Sequence, residues 1–490
     1  MTLTNMRPII NTRSGMAYNN NISDLRTDGL KGEETVMLAQ VLAIVIFLGM
    51  FLLIVLDRFE RHVVTLSSGA LVLVLVFGLC MHSWQAIVTT LNLGELFTSG
   101  FWYGASDGGT SGINWSTILF VAGMMIMVEG LGEAGFFRWL CLSLAKAVRY
   151  HVVPLLVCFM AMSAALSMFI DSITVVLFLA TVTAELARTL AFDPVPMILA
   201  EIFCANLGGA ATMCGDPPNI IIGTALGYTF SDFIGNTGLI AAVCLMLTIL
   251  YFWLCFRKQF RQQEQARSGD LVCPQPESAI TNRKTFAGAV AVFAVAVLLL
   301  VTHAKTTLSV ACIGVIAAVL TLLHTALTSG AANVGKILKG VDYKTLLFFV
   351  GLFISVAGLE QTGVLNRIAQ WIGSISGGNL LVIVVIILWL SAVASAFIDN
   401  IPFAATMVPV IRSISAAQGV DLSVLAWALS LGTDLGGNGT PIGASANVVG
   451  TSVSAKQGHP IRWGTYCKYC APATVLAVLA SMLCLLLRFF

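Results

Sequence analysis

Charge is the first thing this sequence lacks. Only 10% of its 490 residues are Asp, Glu, Lys or Arg, where soluble globular chains carry about 25%. With 58% hydrophobic residues and a mean hydropathy of +0.91, the chain cannot hide its apolar surface in one aqueous core, so its solvent is lipid. The net charge of +2 gives no electrostatic basis for a nucleic-acid partner. The 6 histidines show no ligand spacing. The sequence contains no phosphate-cradling loop ending in Gly-Lys-Ser/Thr, no His-Glu-x-x-His pair and no Gly-x-Ser-x-Gly elbow. ATP hydrolysis and other enzymatic catalysis therefore lack residues to carry them, and no cofactor is expected beyond a coupling ion. A cleavable signal peptide is also missing. Residues 1–37 are polar and are expected to form a disordered tail, with Met1, Met6, Met16 and Met37 as alternative starts. Cysteine is plentiful at 12, yet Cys80, Cys158, Cys244, Cys312 and Cys484 sit inside apolar runs and read as small core hydrophobes. Cys467 and Cys470 form a single CxxC without the second pair a structural zinc site would need.

What is present is a series of apolar spans. A bilayer core of about 30 Å needs about 20 apolar residues in helix. Spans are expected at 38–56, 63–82, 115–131, 230–256, 285–303, 308–327, 343–360 and 463–487. Two longer stretches, 153–190 and 379–416, carry a polar break near the middle, and 195–226 and 422–452 are interrupted by glycines and prolines.

The breaks recur because the chain repeats itself. A shift of 228 residues aligns 115–223 with 343–451 without a gap. Phe169-Ile170-Asp171 falls on Phe397-Ile398-Asp399, Leu207-Gly208-Gly209 on Leu435-Gly436-Gly437, Thr212 on Thr440, Gly215 on Gly443 and Asn219 on Asn447. A constant register with coincident breaks marks a duplication. The expected fold is an all-α polytopic membrane protein of two repeats, 38–256 and 285–490. Each holds five transmembrane helices, one of them broken, plus a re-entrant hairpin. An odd number of crossings per copy makes the second copy inverted relative to the first. With both termini outside, 17 of the 26 lysines and arginines face inward, Arg61 among them, and 8 face outward; Lys468 lies inside the last span. That excess places linker 257–284, read as a solvated connection, in the cytoplasm. Segments 136–150 and 364–376 read as interfacial amphipathic helices.

Irregular backbone within the hydrocarbon layer is tolerated only where protein or a water-filled cavity satisfies its polar groups. The turns Asp171-Ser172-Ile173-Thr174 and Asp399-Asn400-Ile401-Pro402 each offer a helix N-cap. A serine would cap without the roughly 2.5–3.5 kcal/mol that an intramembrane carboxylate costs on insertion scales. Two matched aspartates therefore point to a site that binds a cation or takes up a proton. The second pair of breaks runs from Gly208-Gly209 through Thr212, Gly215 and Asp216 to Asn219, and from Gly436-Gly437 through Asn438, Thr440 and Gly443 to Asn447. Asp216-Pro217 and Thr440-Pro441 each read as a cap followed by a first-turn proline that restarts a helix. The carbonyls released there can ligate a cation, while a half-helix N-terminus attracts an anion. Na+ is expected near Asp171, Asn219, Asp399 and Asn447. Asn206 and Asp434 occupy one repeat position ahead of the glycine pairs. Glu129, Glu185 and Glu201 have no acidic mate and are expected to be paired structurally or placed near an interface rather than to be catalytic.

At these breaks the sequence resembles the ion transporter superfamily, most closely the branch of P protein-like permeases, arsenite permeases and sodium/proton antiporter relatives with a citrate transporter-like domain. FIDSITVVLFLATV, FIDNIPFAATMVPV, NLGGAATMCGDPPNIIIG and DLGGNGTPIGASANVVG carry the likeness, which extends over 38–490. The resemblance implies a plasma-membrane homodimer with a scaffold and an elevator-like transport domain. On that pattern Asp171, Ser172, Thr174, Asn219, Asp399, Asn400, Thr440 and Asn447 line the site. The dicarboxylate branch carries Ser-Asn-Thr at its hairpin tips; here an aspartate precedes Ser172 or Asn400, and no basic residue lies at the breaks. The expected function is secondary-active transport of a small inorganic ion or oxyacid, arsenite-like, coupled to H+ or Na+, with Cys204 and Cys214 flanking the first glycine break. Na+/H+ antiport, an anion channel and dicarboxylate symport are the alternatives.

Overall fold

The computed structural model describes residues 31–56, 58–103, 112–266 and 274–490. The first copy comprises α1 (Lys31–Leu56), α2 (Arg61–Leu71, continued as a π-helix over Val72–Cys80), α3 (Trp84–Leu91), α4 (Trp115–Glu133), α5 (Phe136–Ala147), α6 (Val152–Ser167), α7 (Ser172–Leu190), α8 (Val195–Gly209), α9 (Pro217–Leu226) and α10 (Leu239–Ala266). The second comprises α11 (Arg283–Thr306), α12 (Val310–Ser329), α13 (Ala331–Gly340), α14 (Tyr343–Gln361), α15 (Val364–Ser376), α16 (Leu380–Ser395), α17 (Asn400–Gln418), α18 (Leu422–Gly436), α19 (Ser445–Lys456) and α20 (Trp463–Phe489). Among the described residues, 9 helices are long and apolar enough to cross a membrane, which makes the chain a multi-pass integral membrane protein.

The repeat read from the sequence is repeated in element boundaries. Helices α4 and α14, α6 and α16, and α7 and α17 begin and end at positions one repeat apart. The local reasons recur as well. Asn114 and Asp342 cap α4 and α14 by accepting from Thr117 N (3.0 Å) and Thr345 N (3.2 Å), and left-handed Gly135 and Gly363 (φ +84° and +78°) turn the chain into α5 and α15.

Packing between the copies is reciprocal. Helix α4 lies on α12 and α14 on α2; α9 packs on α17 and α19 on α7. Each half-helix after a glycine break is therefore covered by the hairpin arm of the other copy. Lipid supplies no hydrophobic drive between helices, so small residues that let backbones approach form such contacts. A Cβ on Gly123 would stand 2.1 Å from the Gly314 carbonyl oxygen, and one on Gly351 would stand 2.3 Å from the Thr65 carbonyl carbon. Ion pairs link the two copies and neighbouring helices. Lys344 meets Glu60, Lys336 meets Glu133 and Arg138 meets Glu185, at 2.6–2.7 Å.

Two expected boundaries are corrected. Residues 31–37 belong to the first helix rather than to a tail; residues 1–30 lie outside the described residues. The segment 257–284 is not a solvated connection throughout. Helix α10 runs to Ala266, because Arg, Gln and Glu are good helix formers. After 267–273, which are outside the described residues, the chain docks on the α5 region. There Tyr150 OH donates to the Pro274 carbonyl (2.7 Å) and Lys146 Nζ to Gln275 Oε1 (3.0 Å).

Because Gly123 and Gly351 seat backbone on backbone, Gly123→Val and Gly351→Val are expected to cost about 1–3 kcal/mol each through overpacking. Thermal unfolding of the purified protein in detergent measures this; unchanged melting temperatures would contradict the close approach.

Candidate functional site

The four breaks form two composite units, each joining a hairpin turn to an unwound segment. In the first unit, Asp171 caps α7, its Oδ1 accepting from Thr174 N (3.0 Å) and its Oδ2 from Thr174 Oγ1 (2.7 Å). Ser172 and Asp216 are almost fully buried, and Ser172 Oγ donates to Asp216 Oδ1 at 2.8 Å. Thr212 Oγ1 reaches back to the Met168 carbonyl of the turn. Asn219, at the start of α9, donates its amide hydrogens to the Gly209 and Thr212 carbonyls (3.0 and 3.1 Å) and accepts from Ser430 Oγ of the other copy (2.6 Å).

The second unit repeats this frame. Thr440 Oγ1 donates to the Ala396 carbonyl, and Asn447 Nδ2 donates to the Gly437 and Thr440 carbonyls at 2.7 and 2.9 Å. Asp399 caps α17, accepting from Ile401 N (3.2 Å), with Asn400 buried beside it. What differs is the charge. Asp399 Oδ2 accepts from Ser445 Oγ (2.9 Å) and from the Arg61 guanidinium (2.7 Å), which also reaches Ser445 Oγ (3.3 Å). The Asp399 side chain is 5% exposed and that of Arg61 32%.

The units are tied together at Asn206. Its Nδ2 donates to Asn438 Oδ1 and to Asn447 Oδ1, both at 2.8 Å. Its repeat mate Asp434 is fully buried, and neither carboxylate oxygen accepts a hydrogen bond among the described residues. Asp216 Oδ2 is in the same condition. These bare atoms are all acceptors, and burying an acceptor unpaired is costly.

Several expected roles change. Gly208 and Gly436 serve packing: a Cβ would meet the Ala164 carbonyl at 2.2 Å and Ala392 Cα at 2.3 Å, on the first arms of the two hairpins. Gly215 and Gly443 similarly admit the Ser167 and Ser395 carbonyls, and Gly209 and Gly437 supply the carbonyls that the asparagines hold. Asn219 and Asn447 act as clamps on the unwound backbone; their side-chain oxygens already take donors, as does Asp399, while Asp171 is filled by its own Thr174. The open acceptors lie instead at Asp216 and Asp434. Asp216 does stand at the N-cap with Pro217 in the first turn, but its side chain turns to Ser172 rather than to the helix. Thr440-Pro441 does not start a helix: α19 begins at Ser445, and Pro441 lies in the preceding turn.

Arg61 overturns the expectation that no basic residue lies at the breaks. It arrives from the start of α2, 338 residues away in sequence from Asp399. Sequence reasoning counted it only for sidedness, and with no repeat mate it left no other signal. Ser445 and Ser430 were missed too. Glu185 is ion-paired with Arg138, as expected. Glu201 is fully buried with one oxygen on Thr183 Oγ1 and the other unpartnered.

The copies also differ in cover. Thr224 of α9 receives Asn114 Nδ2 (2.8 Å) and bonds Thr117 Oγ1 (2.9 Å), sealing α9 against α4. At the equivalent place Thr345 bonds its own cap Asp342 (2.6 Å), and Ser452 of α19 is exposed. One flank is closed and the mirror flank is open.

Comparison with known proteins agrees with this architecture. A family model described as citrate transporter matches residues 51–432. An uncharacterized transporter of Mycobacterium tuberculosis is 32% identical over 452 residues, covering 92% of this chain and 99% of that one. The human P protein is 26% identical over 454 residues, covering 76% of this chain and 53% of the P protein. Among solved structures, the YdaH transporter of Alcanivorax borkumensis has a TM-score of 0.52 at 16% identity, over 82% of this chain and 87% of that one. MtrF of Neisseria gonorrhoeae, described with a class of antimetabolite efflux pumps, has a TM-score of 0.53 at 14% identity, over 82% and 83%. At those identities the likeness is one of fold.

Coupled residues in one network show interaction energies of about 0.5–3 kcal/mol. A double-mutant cycle of Arg61→Ala and Asp399→Ala is expected to fall in that range, each single change destabilising more than its share of the pair. Additive losses in melting experiments would contradict a shared ion pair.

Proposed function

The chain belongs to the citrate transporter family, and we propose that it is a secondary-active transporter of a small anion or oxyacid, coupled to H+ or Na+. The observation that carries this reading is the Arg61–Asp399–Ser445 cluster at the start of α19. A guanidinium, a hydroxyl and a half-helix N-terminus together make an anion receptor, and in this arrangement the Asp399 carboxylate is its occupant. A proton or cation taken up by Asp399 would weaken its hold on Arg61. Arg61 and Ser445 would then pass to an incoming oxyanion, so that substrate and coupling ion bind together. Arsenite-like oxyacids match the site in oxygen chemistry, and Cys204 and Cys214 are buried near the first break. Carboxylates, including those of the dicarboxylate and citrate type, would use the same three groups.

The one-sided cover supports alternating access. In this reading the copies are inverted, both termini lie outside, and the open flank beside Ser452 faces the cytoplasm. The closed Asn114–Thr117–Thr224 seal guards the other side until the transport domain moves, elevator-fashion, within a homodimer in the plasma membrane.

Reconstituted protein is expected to show saturable counterflow of a labelled anion. Conductance that follows the Nernst potential of one ion would instead make it a channel. Arg61→Ala is expected to lower transport at least tenfold, the loss of a charge-assisted contact of about 1.5–3 kcal/mol. Asp399→Asn is expected to flatten the dependence on pH and Na+. Full coupled activity in both variants would sink this reading. Single cysteines give a separate check: Ser452→Cys should label from one face of the membrane only, and Thr224→Cys should be protected.

A further inference from the structure

The two copies place different chemistry at one central position. Asn206 in the first copy bridges Asn438 and Asn447 through two donated hydrogens, each bond 2.8 Å long. Asp434 in the second copy has no such hydrogens to give. Its side chain is fully buried, and neither oxygen has a partner among the described residues. Asn219 lies alongside, but its amide hydrogens go to the Gly209 and Thr212 carbonyls. The hydroxyl of Ser430, on the same helix as Asp434, is spent on Asn219 Oδ1.

A carboxylate in such surroundings must hold a cation or a proton. A multivalent metal is disfavoured, because among the described residues no three His, Cys, Asp or Glu side chains are grouped to hold one. Other buried side-chain oxygens without a partner include those of Glu201, Asn206, Asp216, Ser391, Thr433 and Tyr466, so Na+ is the competing occupant that infrared spectra separate from a proton. A proton needs no ligand cage. It converts one Asp434 oxygen from an acceptor into a donor.

We infer that Asp434 is a proton-binding site of the transport cycle, distinct from the hairpin-tip aspartates. The inference rests on the coupled-transport reading and names H+ as the ion that this position serves. The buried ionisable side chains on the elements packed around α18 are Glu201 and Cys204 on α8 and Tyr466 and Cys470 on α20, with Asp216 ahead of α9. Of the cations on those elements, Arg412 of α17 donates to the Ala225 carbonyl, and Lys468 and Arg488 of α20 are exposed, over the Tyr469 ring and on the Gly235 carbonyl. No cation is hydrogen-bonded to Asp434 among the described residues. Loss of the proton would leave an unpaired charge beside the bare Asp216 oxygen. That charge is relieved only if the break opens to water, and opening to water on one side is how a proton is exchanged.

Infrared difference spectra of the purified full-length protein, taken across a pH titration, are expected to show a protonated-carboxyl C=O band that disappears at high pH. Asp434→Asn, which installs the residue its mate carries, is expected to remove that band, and Asp434→Glu to keep it at a shifted frequency and shifted pH. The Glu variant answers the question if the Asn variant does not fold. In proteoliposomes, Asp434→Asn is expected to lose pH-gradient-driven anion accumulation at least tenfold. A band insensitive to both substitutions, or no titrating band in the wild type, overturns the inference. A band abolished by Na+ at constant pH makes this a Na+ site and overturns it as well. These spectra do not depend on transport. A wild type that titrates at Asp434 but shows no counterflow refutes the transport reading alone.

Discussion

Everything in this molecule answers to one constraint: peptide groups released from helix in a water-poor layer must find partners within the protein. Four stretches of backbone are unwound, and each is secured in the same way in both copies. One asparagine side chain holds two carbonyls of the glycine break, and one threonine hydroxyl ties the break to the hairpin turn. The glycines follow from this arrangement, because only a residue without a side chain lets the hairpin backbone come close enough for the threonine to reach it.

On that shared frame, chemistry sits where the copies cease to match. Asp216 stands where the second copy has Ala444, Ser445 where the first has Pro217, and Asp434 where the first has Asn206. The asparagine and threonine clamps are matched in both copies, whereas Asp216, Ser445 and Asp434 each occur in one copy alone. Arg61, a cation from outside the repeated breaks, contacts Asp399 and Ser445 of the second unit. The repeated framework is thus chemically polar, with the donors Arg61 and Ser445 gathered on Asp399 and bare carboxylate oxygens at Asp216 and Asp434.

Much of the fold was legible because period and length fix a membrane helix closely. Helices α4, α14 and α20 start where the apolar pattern places them. The misses have simple causes. Lys31, Glu33 and Glu34 and the charged end of α10 are polar yet helix-favouring, so hydropathy undercounts those helices. The Asn and Gly positions of the site were legible through the repeat register, but their roles were not. An asparagine that clamps a carbonyl and one that ligates a cation look alike until the direction of each hydrogen bond is known. Pro441 was misread because proline suits a turn as well as a first helical position. Arg61 was invisible as a site residue, since nothing in local sequence reports a contact across such a separation.

The exchange of cover between copies bears on how the chain is made. Helix α9 leaves the ribosome well before α17, the arm that shields it, and α7 waits longer still for α19. Until the second copy inserts, the Ser172–Asp216 pair and the clamped turn at Asn219 sit in a half-built protein with Ser430 not yet synthesised. The first half therefore enters the membrane before the partners that cover its break exist.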